Sequence, residues 1–145
     1  MIRTLATIGY EHATQAAVID KLKAAGVEVL IDVRAVAASR RAGFSKTILA
    51  NSLAAHGIDY VHLRALGTPK AGREAAHRGR IAEMHTIYKE HLKEPETQLA
   101  LVEAGEIASK RKAALLCLEA DHARCHRSII ADRLAKSHGF RIENL

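Results

Sequence analysis

Aromatic residues, cysteine and proline are scarce in this chain. Its 145 residues include no Trp, two Phe, three Tyr, two Cys and two Pro. So few aromatic rings argue against a single-strand-binding surface on which bases stack, and two cysteines do not build the disulfide framework of a small secreted domain. The apolar runs fall far short of the roughly 20 residues of a membrane span, and the first residues lack the apolar segment of a signal peptide. We therefore expect reduced thiols, no membrane association and a cytoplasmic location.

The remaining composition is that of an ordinary globular protein, with 48% hydrophobic and 26% charged residues. A chain of this length predicts one domain, spanning residues 1–145. The formal net charge is +6, and the excess lies between Arg34 and Arg80, where nine Lys and Arg stand against two acidic residues. Such a region indicates an anionic partner, either a phosphate-bearing ligand or nucleic acid, although a solvated basic face needs no partner. The oligomeric state is not fixed by these features.

Short apolar runs alternate with longer amphipathic stretches along the chain. The apolar runs predict strands at residues 2–8, 27–33, 58–63, 113–118 and 140–143. The amphipathic stretches predict helices at residues 14–25, 46–55, 76–93, 96–111 and 124–138, and a loop at 64–74. Strands that alternate with helices favour a single α/β domain with a mainly parallel sheet and helices on both faces. We therefore expect a three-layer architecture of the Rossmann-like or rhodanese-like kind.

Functional side chains follow four of the predicted strands. Parallel α/β sheets bind their ligands outside the carboxyl ends of the strands, so these side chains are expected to share one cleft. They are Gly9 and Tyr10, Asp32 and Arg34, His62, and Cys117 and Glu119. We expect supporting roles for Gly9, Tyr10, Asp32 and His62, with Asp32 accepting hydrogen bonds from a loop or orienting an arginine.

The densest group of reactive side chains lies late in the chain. Cys117 ends a buried strand, and Cys125, His126 and Arg127 open the next predicted helix. Backbone N–H groups at a helix N-terminus bind anions and lower the pKa of a nearby thiol. Cys125 or Cys117 is therefore a candidate nucleophile, Glu119 a candidate acid/base, and His126 a supporting residue. For Cys117, a small buried hydrophobe at a strand end is the simpler interpretation.

Metal binding is an alternative use of the same residues. Cys117, Cys125 and His126 are residue types that bind zinc. Their Cys-x7-Cys-His spacing matches no standard structural zinc pattern, and the sequence contains no CxxC pair. We therefore assign no metal ligands and imply no cofactor, and the metal interpretation stays an alternative.

Basic residues in other predicted loops are candidates for anion contacts. Arg34 precedes a loop that contains Arg40, glycine and serine, and Lys70 follows a Gly-Thr-Pro turn. With Arg127, whose forked guanidinium suits phosphate, these are the predicted anion-binding residues. The chain contains neither GxxxxGK[ST] nor GxGxxG after its first strand, so ATPase and dinucleotide-dependent oxidoreductase functions are disfavoured.

Six segments, in order along the chain, resemble the domain-of-unknown-function 488 family of small bacterial and archaeal proteins. They are TIGY at 7–10, LIDVR at 30–34, SR at 39–40 with GFSK at 43–46, IDYVHL at 58–63, LGTPK at 66–70, and LLCLE at 115–119 with CHRS at 125–128. The resemblance implies an α/β fold and no established activity. Ala37 stands where proline is expected in this family.

A fold-level likeness to rhodanese-type and cysteine-phosphatase domains is also present. Those domains show a strand ending in Ile-Asp-Val-Arg and a later strand ending in cysteine. Here Cys117 precedes Arg124 by seven positions and Arg127 by ten, so the Cys-x5-Arg phosphate cradle is not reproduced.

These features favour an anion-binding cleft in an enzyme that acts on a phosphate-bearing or nucleic-acid-derived substrate. Two alternatives stay open at this point. One is a non-catalytic nucleic-acid-binding module that uses the basic region, and the other is a metal or redox sensor built on the two cysteines.

Overall fold

One parallel sheet organises the computed structural model, which describes residues 3–145. The strands are β1 (Thr4–Gly9), β2 (Val29–Asp32), β3 (Asp59–His62), β4 (Ala113–Cys117) and β5 (Arg141–Asn144). Their order across the sheet is β3-β2-β4-β1-β5, and every neighbouring pair is parallel. Every residue of β2 and β4 is buried, as expected for central strands that are covered on both faces.

Six α-helices connect or flank the strands. They are α1 (Gln15–Ala24), α2 (Lys46–Ala54), α3 (Lys70–His77), α4 (Ile81–His91), α5 (Pro95–Lys110) and α6 (Arg127–His138). Two short 3₁₀ turns, Arg64–Leu66 and His122–Arg124, precede α3 and α6. Among residues 3–145, none of the helices combines the length and the apolar character needed to cross a bilayer.

The helices lie on both faces of the sheet and form two separate apolar cores. Leu22 of α1 and Leu49 of α2 pack in the core on one face, together with Leu30 of β2. Ala104 of α5 and Ile130 of α6 pack in the core on the other face. The alternation of side chains along each strand thus feeds both layers. The predicted three-layer α/β fold with a parallel sheet is confirmed.

The sequence-based prediction is wrong between residues 64 and 80. Segment 64–74, predicted to be a loop, contains a 3₁₀ turn and the start of α3. Glycine occurs inside this helix because a side chain would not fit at position 72: a Cβ at Gly72 would lie 2.5 Å from Thr68 Cγ2. The single helix predicted at 76–93 is divided into α3 and α4 by Gly79, whose φ of 76° ends the first helix.

Smaller differences, of one to three residues, affect the ends of most other elements. The first predicted strand begins at residue 2, which lies outside the described residues. The last predicted helix begins at Arg127 instead of residue 124, because Asp121 caps a separate 3₁₀ turn by accepting a hydrogen bond from Ala123 N at 3.0 Å.

The connections define a crevice between β1 and β4. After β1 the chain passes through α1 to β2, on one side of β1. After β4 it passes through α6 to β5, on the opposite side. The two connecting helices also lie on opposite faces of the sheet. Such a point of divergence leaves an opening at the carboxyl ends of the two strands, where ligands of open α/β sheets bind.

Gly9 ends β1 and shapes this crevice. It is paired with Cys117, the last residue of β4. A Cβ at Gly9 would collide with the Glu119 carbonyl oxygen, so only glycine lets the chain that follows β4 lie against the end of β1.

We expect Gly9→Ala to lower the free energy of unfolding by about 3 kcal/mol, because the added methyl group forces the backbone around Glu119 to move. Gly57→Ala is a suitable control. Gly57 has open space around its Cα and a φ of 73°, so the control should cost about 1 kcal/mol of backbone strain. Urea unfolding of the two variants measures the difference. Equal losses would contradict the close approach at Gly9.

Candidate functional site

A cavity of about 190 Å³ opens at the crevice between β1 and β4. One wall is the sheet edge with the loops that follow β1, β2 and β4, and the opposite wall is formed by α3 and α4. The polar side chains that line it include Tyr10, Arg34, Arg73, Cys117, Glu119 and His126. Of the strand-end residues that sequence analysis expected to share a cleft, four line this cavity and three, Gly9, Asp32 and His62, do not.

A buried ion pair anchors the β2 side of the cleft. The Asp32 carboxylate has no exposed surface, and Arg34 binds it through Nε at 2.9 Å and Nη2 at 2.6 Å. Tyr60 Oη donates to the same carboxylate at 2.5 Å. Burial disfavours the charged guanidinium, but the hydrogen bonds and charge of Asp32 outweigh it and raise the pKa of Arg34 above its ordinary value. The guanidinium is therefore a permanent cation, and most of its donor capacity is used inside the protein.

The remaining contacts of Arg34 extend this anchor to neighbouring loops. Its Nη1 donates to Tyr10 Oη at 3.2 Å and to the Phe44 carbonyl at 2.8 Å. Its own carbonyl accepts a hydrogen bond from His62 Nε2 at 2.7 Å. Tyr10 in turn stacks on Phe44 with ring centroids 4.4 Å apart. Arg34 thus holds Tyr10 at the cleft and ties down the loop between β2 and α2.

The second part of the site is a buried cluster of two thiols and an imidazole. His126, immediately before α6, donates from Nε2 to the Val33 carbonyl at 2.8 Å. A carbonyl only accepts, so this bond fixes the ring tautomer and leaves Nδ1 facing the sulfurs. Nδ1 lies 3.6 Å from Cys117 Sγ and 3.7 Å from Cys125 Sγ. Both cysteines are free thiols. The hydrogen bond to Val33 also joins this cluster to the Asp-Val-Arg segment, more than 90 residues away in the chain.

The close packing of the cluster shifts the ionisation of its members. Burial opposes ionisation of Cys125, but hydrogen bonding from the Cys117 thiol and the positive charges of His126 and Arg127 outweigh it and lower the pKa of Cys125. The pKa of Cys117 is raised, first by that same hydrogen bond and then by burial. Burial disfavours the imidazolium, yet the Cys125 charge raises the pKa of His126. The cluster thus favours a thiolate at Cys125 next to a protonated imidazole.

Glu119 completes the polar lining on the β4 side. It is partly buried and follows Cys117 by two residues. Burial, followed by the nearby charge of Cys125, raises the pKa of Glu119 to about 7. At neutral pH this carboxyl group exists in both protonation states, as acid/base chemistry requires.

Arg127 supports the cleft from outside its lining. Its side chain is only 1% exposed. Nη1 donates to the Glu119 carbonyl at 2.5 Å and Nη2 to the Ala120 carbonyl at 3.3 Å. The structure therefore places this predicted anion contact behind the loop after β4, where it holds the backbone of Glu119 in position.

The predicted anion contacts Arg40 and Lys70 are exposed and do not line the cavity. Sequence analysis left out Arg73 and His77, which line it from α3. They are four residues apart and so share one helix face. Their spacing would have pointed to the cleft only if α3 had been recognised as a helix.

We expect Arg127→Ala to lower the free energy of unfolding by about 3 kcal/mol, since hydrogen bonds to a charged group contribute about 1.5–3 kcal/mol each and two carbonyls of the loop after β4 lose their buried donor. Arg124→Ala is the matched control. Arg124 is exposed on the preceding 3₁₀ turn, so its removal should change stability by less than about 0.5 kcal/mol. Urea unfolding compares the two variants, and wild-type stability in Arg127→Ala would contradict the supporting role.

Comparisons with curated proteins and with solved structures return no match. The family described as "Domain of unknown function DUF488" matches residues 14–134. This stretch includes the Asp32–Arg34 pair and the whole cysteine–histidine cluster, and it confirms the family that the sequence motifs resemble. The chain belongs to the DUF488 family.

Proposed function

We propose that the cleft is the active site of an enzyme that acts on a small phosphate-bearing substrate, such as one derived from a nucleic acid. The observation that carries this proposal is the group of Cys117, Cys125 and His126, buried at the inner end of a cavity of about 190 Å³. Cys117 and His126 line the cavity directly, and Glu119 lies beside them.

The cost of burying this group supports a functional role. Two thiols and an imidazole lose favourable hydration when they are buried at the edge of a core, which costs free energy. Apolar side chains could fill the same space without that cost. Polar groups that are held together at a cleft at such a cost are concentrated in active sites. The cavity suits a small molecule and is smaller than the usual site for a drug-sized ligand, which favours a small substrate over an extended polymer.

The two walls of the cleft would have different roles: the α3 wall binds the anion, and the reaction takes place at the opposite wall. Arg73 donates from Nη1 to the Thr68 carbonyl at 2.8 Å, so its guanidinium is held beside the cavity and the rest of the fork is available to an anion. His77 lies on the same helix face. Tyr10, whose hydroxyl oxygen accepts a hydrogen bond from Arg34, can donate its own proton to a bound group.

The reaction would take place on the opposite wall. Cys117 and His126 line the cavity there, with Cys125 behind them, so the cluster as a unit faces the bound substrate. The Glu119 carboxyl group lines the same wall and is placed to take up or deliver a proton. Its backbone is fixed by Arg127, which gives the group a defined position.

Non-catalytic nucleic-acid binding is the second candidate function. It is favoured by the excess of positive charge in residues 34–80, where Arg40 and Lys70 are exposed. Binding of this kind would weaken steeply as the salt concentration rises. It would depend on Arg78, another exposed cation of the region, about as much as on Arg73.

The proposed function predicts that Arg73→Ala weakens binding of inorganic phosphate and of nucleoside monophosphates at least tenfold, or about 1.4 kcal/mol, because it removes the forked donor from the cavity. Arg78→Ala removes the same charge just past the end of α3 and should change affinity by less than about twofold. Isothermal titration of both variants measures the effect, and thermal melting checks that each is folded.

Turnover gives a second test. A panel of nucleotides and small phosphate esters should contain at least one compound that the wild-type protein converts and that Cys117→Ser does not. Failure to bind any small anion, together with no turnover across the panel, would overturn the proposal. Equal weakening by Arg73→Ala and Arg78→Ala, with a steep dependence on salt for oligonucleotide binding, would instead support the nucleic-acid-binding module.

A further inference from the structure

We propose that Cys117, Cys125 and His126 form a three-ligand site for a thiolate-binding divalent cation such as Zn²⁺, with the fourth coordination position open to the cleft. This is the one cluster of three or more such ligand residues among residues 3–145. This inference assigns a metal cofactor to the site of the proposed function. It rests on the proposed function for the role of the open coordination position.

The distances within the cluster fit a tetrahedral centre. Zinc binds sulfur at about 2.3 Å and imidazole nitrogen at about 2.0–2.1 Å, so a tetrahedral N–Zn–S angle sets an N···S edge of about 3.6 Å. The observed distances from His126 Nδ1 are 3.6 Å to Cys117 Sγ and 3.7 Å to Cys125 Sγ. All three ligand atoms lie within 4.8 Å of one another. A cation can therefore be held with only small side-chain movements.

The orientation of the imidazole is that of a metal ligand. Nε2 donates to the Val33 carbonyl at 2.8 Å, which leaves Nδ1 directed at the sulfurs and able to ligate a cation once its proton is displaced. Ligating histidines almost always bond their second nitrogen in this way, because it fixes the tautomer and the ring plane. On binding, the cation takes the place of the protons that the thiols and the imidazole hold, and those protons are released to solvent.

Charge and ligand type select the class of cation. Two thiolates and one divalent cation sum to zero, so the bound cluster is neutral, and burial then costs far less than burial of a lone thiolate. Thiolate and imidazole ligands favour zinc and similar metals over magnesium or calcium, which prefer oxygen. The neighbouring Asp32 carboxylate is already paired with Arg34, so it adds no free oxygen ligand.

The number and position of the ligands indicate a catalytic centre instead of a structural one. Structural zinc sites are closed by four protein ligands, whereas catalytic sites have three and keep the fourth position for water or substrate. Here Cys117 and His126 line the cavity and Cys125 is only 1% exposed behind them. That burial makes Cys125 a poor nucleophile toward a substrate but a suitable ligand. The open position then faces the wall that carries Glu119.

The test uses the full chain, kept reduced and stripped with a chelator, and titrates it with Co²⁺ and then Zn²⁺. We expect one equivalent of Co²⁺ to give the visible bands of tetrahedral cobalt and sulfur-to-metal charge-transfer absorption, and Zn²⁺ to displace it. Cys117→Ser and Cys125→Ser should each weaken Co²⁺ binding at least about 100-fold. Changing a group that only supports a ligand costs about 10–100-fold in metal affinity, and losing a ligand should cost at least as much. Near-ultraviolet circular dichroism and thermal melting of each variant check the fold.

Two further variants control for nonspecific binding. His122→Ala removes an exposed imidazole on the neighbouring 3₁₀ turn, and Asp121→Asn removes the charge of the exposed carboxylate that caps the same turn. Both should keep one equivalent of Co²⁺ with a tetrahedral, thiolate-ligated spectrum. A wild-type protein that binds no stoichiometric Co²⁺ while both thiols titrate as reduced would overturn the metal site, as would an unchanged spectrum in folded Cys117→Ser.

The outcome separates the metal site from the proposed function. If no metal binds but phosphate binding still depends on Arg73 and a substrate is converted, the metal inference alone fails. If one equivalent binds with the tetrahedral spectrum but no small anion binds and no substrate is converted, the metal site stands and the proposed function fails.

Discussion

The cleft depends on a carboxylate that has no contact with solvent. Asp32 ends a central strand, and its burial is tolerated because Arg34 binds it through two nitrogens while Tyr60 donates to it from β3. An unpaired carboxylate at this position would cost several kcal/mol. For the Arg34 side chain to reach Asp32, the chain after β2 must turn back over the end of the strand. The same turn brings the Val33 carbonyl to His126 and the Arg34 side chain to Tyr10.

The path of the loop after β4 is constrained as well. The loop after β4 must pass close to the end of β1, which Gly9 allows, and it must remain in place although it lacks regular structure. Arg127 holds it by donating to two of its carbonyls. Two arginines thus make most of their contacts inside the protein: Arg34 neutralises a buried acid, and Arg127 binds two carbonyls of the loop after β4. Among the residues that line the cavity, Arg73 on the helical wall is the arginine whose fork stays mostly available to a ligand.

The fold and the location of the cleft could be predicted from the sequence because both follow from short-range patterns. Buried β-branched runs such as β2, and helices that end at glycine, give alternating elements, and parallel strands bring Tyr10, Asp32 and Cys117 to one edge. The direction in which Arg127 points could not be predicted, since it depends on the path of a loop. Arg73 was left out because Gly72 and Pro69 are typical of a loop, whereas in the structure Gly72 lies inside a helix, in close contact with Thr68 four residues earlier and within reach of Ile87 on α4.

The α3–α4 wall has a further consequence for how such a protein can change. Gly79 divides it into two short helices, and these contribute Arg73, His77 and Met84 to the cavity, whereas the thiols, His126 and Glu119 come from the sheet edge and the start of α6. The two halves of the cleft are thus encoded in separate stretches of the chain. Substitutions on the inner face of α3 can alter the shape and charge of the opening without changing a residue that packs on the cysteine–histidine cluster, whereas α4 packs Tyr88 against His126 with ring centroids 5.0 Å apart. The α3 side of the opening can therefore diverge independently of the cysteine–histidine cluster among proteins built on this scaffold.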